Sequence, residues 1–159
     1  MHRIIPILGT LFAFALAFAP TSALARKTVF HGSVCENIYP ASHSLGGDVY
    51  EEAGGLRNAS STWRYIICPI TRFDGASGNI TDIEVSLYST DADMWCSVSS
   101  LNRYNSSGSS SGNRSAGGTG YRLIDFGNPN LSNSYEGDFT VFCVLASGSS
   151  IRSISVDEN

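Results

Sequence analysis

Apolar and polar residues alternate with a period of two along much of this chain. In "ITDIEVSLYST", Ile83, Val85 and Leu87 share one face while Asp82, Glu84 and Ser86 share the other, which predicts a strand with one buried and one wet side. "MWCSVSSLNRY" repeats the pattern with Cys96 and Val98 together, and "DFTVFCVLAS" sets Phe139, Val141, Cys143 and Leu145 on one face, the strongest core strand of the chain. Around Trp63–Ile70 both faces are apolar: Trp63, Tyr65 and Ile67 point one way, Ile66 and Cys68 the other. That predicts a strand within a sheet whose faces are both covered, although Pro69, lacking an amide proton, argues against an uninterrupted ladder there. Shorter strands are expected at Arg26–Phe30 (an edge), in "YRLIDFG" and at Ile151–Val156. The segment from His31 to Gly55 is rich in turn formers and reads as irregular, tied down by Cys35.

No segment sustains a period of 3.6. Short strands parted by Gly, Ser, Asn and Pro predict an all-β fold, an antiparallel β-sandwich or jelly roll, with an irregular barrel as the next choice. An immunoglobulin arrangement fits poorly, because Trp63 precedes Cys68 by too few residues. One tract breaks the alternation. From Asn102 to Gly120, 11 of 19 residues are Ser or Gly. It reads as a long mobile surface loop within the domain, and removing part of Ser106–Gly118 is expected to leave the fold intact.

The N-terminal stretch has a different character. Arg3 precedes an apolar run from Ile4 to Ala19, and Ala23-Leu24-Ala25 fits a small-x-small cleavage site. Residues 1–25 are therefore expected to be a secretory signal peptide, and 26–159 a single domain that is secreted or periplasmic. No later segment is long and apolar enough to cross a membrane as a helix. All four cysteines, Cys35, Cys68, Cys96 and Cys143, follow the cleavage site, and an even number in an exported chain reads as two disulfides. The expected pairs are Cys35–Cys68, pinning the irregular N-terminal arm, and Cys96–Cys143, joining two strands with matching parity. The crossed pairing Cys35–Cys96 with Cys68–Cys143 stays open, since strands distant in sequence can be neighbours in a Greek key.

With 10 basic and 14 acidic residues and a net charge of −4, the chain has no basic footprint for nucleic acid or an anionic membrane. The two histidines beyond the expected cleavage site, His31 and His43, lie among serines too abundant to signal a Ser-His-Asp triad. No cysteine pair has C-x-x-C spacing, and the Asp74–Asn79 and Asp91/Asp93 stretches are better read as turns than as calcium ligands. No metal, cofactor or catalytic residue is assigned. Asp82 and Glu84 share a wet face, where acidic groups usually serve solubility. Asn-x-Ser/Thr sequons occur at Asn58, Asn79, Asn105 and Asn113. Aromatic residues are the remaining handle: if the strands carrying Tyr88 and Trp95 form a hairpin, the two rings lie close on its outer side, and Tyr104 in the tract joins them as a candidate for stacking on a sugar or docking a protein.

The frame carried by Gly32, Cys35, Gly55, Leu56, Asn58, Cys68, Pro69, Ile70, Arg72 and Cys143 resembles small exported proteins of unassigned function from Gram-negative bacteria. The resemblance implies a secreted all-β domain and carries over no catalytic residue. The expected function is a binding or structural module whose partner is a glycan or a cell-surface protein. The alternative is a small secreted hydrolase, for example one acting on glycans, with Asp/Glu or His in a loop cleft.

Overall fold

A computed structural model describes residues 26–38, 49–71, 80–101, 108–129, 131 and 138–158. The strands are β1 (Arg26–His31), β2 (Glu36–Asn37), β3 (Val49–Glu52), β4 (Gly55–Asn58), β5 (Arg64–Ile70), β6 (Ile80–Ser89), β7 (Trp95–Leu101), β8 (Gly108–Ser110), β9 (Arg114–Ser115), β10 (Gly120–Asp125), β11 (Asp138–Leu145) and β12 (Ser150–Glu158). A short 3-10 turn spans Gly32–Val34. No helix among the described residues is long and apolar enough to cross a membrane. Residues 1–25, which the sequence reads as a signal peptide, His43 and Tyr104 lie outside the described residues.

Two antiparallel sheets form the expected sandwich. Sheet A runs β10-β6-β12-β4-β3, with β1 also paired to β12; sheet B runs β2-β5-β11-β7-β8, with β9 also paired to β7. The alternation in the sequence decides which side chains meet between them. Sheet A turns Leu56, Ile83, Val85, Leu87, Ile151 and Ile154 inward, and sheet B turns Ile66, Cys68, Val98, Phe139, Val141 and Leu145 inward, all but Leu56 and Phe139 fully enclosed. β5 has one covered face rather than two: Ile66, Cys68 and Ile70 are buried, while Tyr65 is exposed on the outside. Pro69 fits an interior strand because of where its nitrogen points. The Ile38 amide donates to the Tyr65 carbonyl at 3.0 Å, so odd-numbered residues of β5 face β2. That strand ends at Glu36, opposite Ile67, and Pro69 lies beyond it.

Both disulfides are the expected ones, Cys35–Cys68 and Cys96–Cys143. Cys96 and Cys143 sit directly opposite each other on neighbouring strands, with Cα atoms 4.1 Å apart. The bonds tie β2 to β5 and β7 to β11. The central β5–β11 seam is left to hydrogen bonds and packing.

The segment read as irregular contains a hairpin. β3 and β4 pair from Val49↔Asn58 to Glu52↔Gly55 around the two-residue turn Ala53-Gly54, a hairpin loop length that glycine favours. A Cβ on Gly55 would overlap the backbone carbonyl of Ile151, and Gly55 also has φ of +127°, so this position requires glycine twice over.

The Ser/Gly tract is docked where it is described. β8 and β9 both pair with β7. The Ser111 amide donates to the Val98 carbonyl at 2.8 Å, the Val98 amide to Ser111 Oγ at 3.0 Å, and the Ala116 amide to the Met94 carbonyl at 2.7 Å. Arg114 places its guanidinium 5.6 Å from the Phe126 ring centroid and donates to the Asp125 carbonyl at 2.6 Å. The loop reading failed because these contacts are made by the backbone and by hydroxyls, which hydrophobic patterning does not register. The tract caps the open edge of β7, a role that small polar residues suit. Deleting Ser109–Ala116 is therefore expected to cost about 2 kcal/mol or more, contrary to the tolerance expected of a loop. Urea midpoints of the parent and the deletion check this, and equal midpoints would show that the edge needs no cover.

Candidate functional site

A cross-strand row runs over the outer face of sheet A. Tyr121 of β10 pairs with Tyr88 of β6, Tyr88 with Ser150 of β12, Ser150 with Arg57 of β4, and Arg57 with Tyr50 of β3. Directly paired residues of antiparallel strands point to the same side, so all five share this face. Ser150 is the small residue in the middle, with larger side chains on both flanks. The result is a depression of about 280 Å³ lined by Glu52, Arg57, Tyr88, Tyr121, Gly148, Ser150 and Arg152.

One wall is aromatic. The Tyr88 and Tyr121 rings meet edge to face with centroids 5.4 Å apart, and Tyr121 is 74% exposed. The other wall is charged. Glu52 reaches Arg152 Nη1 with Oε1 at 3.5 Å and Arg57 Nη1 with Oε2 at 3.7 Å. Arg152 owes its position to an irregularity: the β6–β12 register shifts between Ile151 and Ser153, so Arg152 is the extra residue of a bulge, a device that re-aims a side chain. Its guanidinium lies 5.9 Å from the Tyr121 ring centroid and against Gly54, where any Cβ would collide with it. The hairpin turn thus seats an arginine.

Of the aromatic residues singled out in the sequence, Tyr88 belongs to this depression. Trp95 does not. β6 lies in sheet A and β7 in sheet B, so "DAD" is an arch between sheets and not a hairpin turn. The arch is held locally, with the Asp93 amide donating to Asp91 Oδ1 at 2.9 Å and Ser89 Oγ to the Asp91 carbonyl at 2.5 Å. Trp95 instead joins a separate row on the outer face of sheet B, its ring 5.5 Å from Phe142, which is 6.0 Å from Tyr65. Tyr121, Arg57, Glu52 and Arg152 were missed. For Glu52 and Arg57 the signal was the "AGG" turn within "VYEEAGGLRN".

The carboxylates named earlier stand at the opposite end of sheet A. Asp82 pairs with Asp157 and Glu84 with Ser155, and Asp125 sits beside Glu84. They share one sheet face and do not oppose each other across a cleft. Burial, then repulsion from Asp125, Glu84 and Asp157, holds the Asp82 carboxyl above its usual range. Lys27 Nζ bridges Glu84 at 3.2 Å and Asp157 at 3.9 Å. His31 Nδ1 accepts from the Ser33 amide at 3.2 Å, which caps the 3-10 turn. Among the sequons, Asn58 is fully buried while Asn113 is exposed; Asn79 and Asn105 lie outside the described residues.

No protein-family model matches the sequence, and no curated protein matches it. Three solved structures are similar in fold. One is the GH26-CBM35 β-(1,4)-mannanase of Podospora anserina, at 11% identity and a TM-score of 0.46, with 84% of this chain and 28% of that one covered. Another is a carbohydrate-binding module from glycoside hydrolase family 9 (Cel9A) of Ruminococcus flavefaciens, at 11% identity and a TM-score of 0.48, covering 84% and 98%. The third is the C-terminal CBM6 of LamC, a laminarinase of Zobellia galactanivorans, at 16% identity and a TM-score of 0.45, covering 82% and 98%. This chain spans 28% of the length of the first. None of them lends it a residue or a ligand.

Proposed function

We propose that this chain is an exported glycan-binding module and that the sheet A depression receives one or two sugar residues. The observation that carries this reading is the pair of walls. An edge-to-face tyrosine pair, two guanidiniums and a carboxylate converge around a central serine. A sugar ring presents apolar C–H faces, which suit tyrosine rings, and hydroxyls, which need forked donors and acceptors. The volume of about 280 Å³ falls just below the usual range of ligand pockets, roughly 300–1,000 Å³, and suits a short stretch of glycan. Two disulfides support an oxidising compartment, in line with a mature chain that starts at Arg26.

The hydrolase alternative has less support at this place. Glu52 is the one carboxylate among the lining residues, and glycoside hydrolysis generally uses two flanking the scissile bond. A glycan array followed by calorimetric titration tests the reading. Tyr88→Ala and Tyr121→Ala are each expected to weaken the best glycan about tenfold or more, the equivalent of losing roughly 1.4 kcal/mol of ring contact. Their urea midpoints should stay near that of the parent, because both rings lie on the surface. An array without hits, or hits that survive both substitutions, would refute the site. Release of reducing sugar from a bound glycan would move the reading to the hydrolase.

A further inference from the structure

The geometry points to a carboxylate-bearing sugar, a uronic acid residue, as the preferred ligand of the depression; this rests on the glycan-binding reading above. Two guanidiniums face one carboxylate there, so the site carries an excess positive charge in a chain whose net charge is −4. Glu52 does not saturate them. It divides its two oxygens between Arg152 at 3.5 Å and Arg57 at 3.7 Å, well beyond the roughly 2.7–2.9 Å of a charge-assisted hydrogen bond. Guanidinium donors are a rigid fork that matches a carboxylate, and the Arg57 and Arg152 side chains remain 43% and 35% exposed beside the depression. A carboxylate entering beside Ser150 would meet Arg57 and Arg152 while its ring lay against Tyr88.

Glu52 has a second role in this arrangement. It bridges the two arginines and competes with the ligand for them. Removing its charge should therefore strengthen binding of an acidic sugar, whereas a merely structural ion pair would give no such gain.

The test is calorimetric titration of the mature protein at low salt with tetrasaccharides of galacturonate, glucuronate and mannuronate, each against its carboxyl-reduced counterpart. At least one acidic member is expected to bind about tenfold more tightly than its neutral partner, the worth of one charged hydrogen-bonded contact, and added salt should narrow the difference. Arg57→Gln and Arg152→Gln should bring the acid-to-neutral ratio toward one. Arg152→Lys, which keeps the charge and loses the fork, should also lower it, and Glu52→Gln should raise it. Thermal melts confirm that each variant is folded. Equal binding of acidic and neutral sugars, or a ratio unmoved by both glutamine substitutions and by Glu52→Gln, overturns the uronate inference and leaves the glycan reading standing. Binding to neither series overturns both.

Discussion

Asn58→Ala is expected to lower the stability of the domain by about 3–4 kcal/mol, a large effect for one side chain. Asn58 is fully buried and uses every hydrogen-bonding position of its amide. Nδ2 donates to the Thr62 carbonyl and to the Leu145 carbonyl, each at 2.9 Å. Oδ1 accepts from the Ser60 amide at 3.0 Å and from Ser60 Oγ at 2.7 Å. Its main chain is engaged as well, donating to the Ser149 carbonyl at 2.9 Å and accepting from the Gly148 amide at 2.7 Å. Asn58 belongs to β4 of sheet A and Leu145 to β11 of sheet B, so one amide stitches the two layers together. Alanine would strip the donor from buried carbonyls and leave a void. Asn58→Asp separates the two causes. The introduced carboxylate keeps the shape and the bonds from Ser60 but turns an oxygen toward two carbonyls, and burial raises its pKa. A group with a raised folded pKa weighs against folding where it is ionised and is relieved as pH falls through that value. Asn58→Asp should therefore be weaker at pH 7 than near pH 4, relative to the parent at each pH. Urea midpoints at both pH values check this, and a loss below about 1 kcal/mol for alanine would mean that water replaces the amide.

Removing the Cys96–Cys143 bond through the double substitution Cys96→Ala/Cys143→Ala should cost on the order of 4 kcal/mol. The bond closes a sequence separation of 47 that includes β8, β9 and β10, and the unfolded chain gains that freedom when it is lost. The Cys35–Cys68 bond, with a separation of 33, should be worth nearly as much by the same reasoning. The two losses are expected to look different. Cys35 anchors the short β2 to the rim of sheet B, and β11 remains paired when that bond is cut. Cys96 and Cys143 sit within the strands that carry the centre of that sheet. Denaturant unfolding of each double variant, followed by the fluorescence of Trp63 and Trp95, measures both. A cost under about 1 kcal/mol for the Cys96–Cys143 pair would refute the chain-entropy estimate.

The strands that bury a whole face were legible because burial leaves a period-two trace: Phe139, Val141, Cys143 and Leu145 announce β11, and Ile83, Val85 and Leu87 announce β6. The cysteine pairing was legible for the same reason, since Cys96 and Cys143 carry the parity of their apolar neighbours. What escaped is held by other forces. The β3–β4 hairpin buries little of its own apolar surface, and β8 and β9 dock through backbone amides and serine hydroxyls. The choice of sheet after β6 escaped too, because an arch and a hairpin leave the same Asp-rich turn in the sequence. That choice separates Tyr88 from Trp95 and gives Tyr88 a different neighbour, Tyr121. The residues of the exported-protein frame turn out to share a structural logic: Gly55 passes close to Ile151, Leu56 fills the core, Asn58 joins the sheets, and Cys35 and Cys68 bond. The depression draws instead on Glu52, Arg57 and Tyr121, which lie outside that frame, and on Arg152 of the late "IRSISV" strand.

The place of β12 in sheet A has a consequence for biogenesis. It lies between β6 and the β1 and β4 strands, so sheet A has no middle until this late segment arrives, and β1 must wait for a partner far along the chain. Such distant pairing makes folding slow and keeps the nascent polypeptide open, a state suited to threading through an export channel. Ser150 and Arg152 both come from β12, so a product truncated before it would lack the centre of the depression. Under the proposed function, ligand capture would begin only once β12 has joined sheet A.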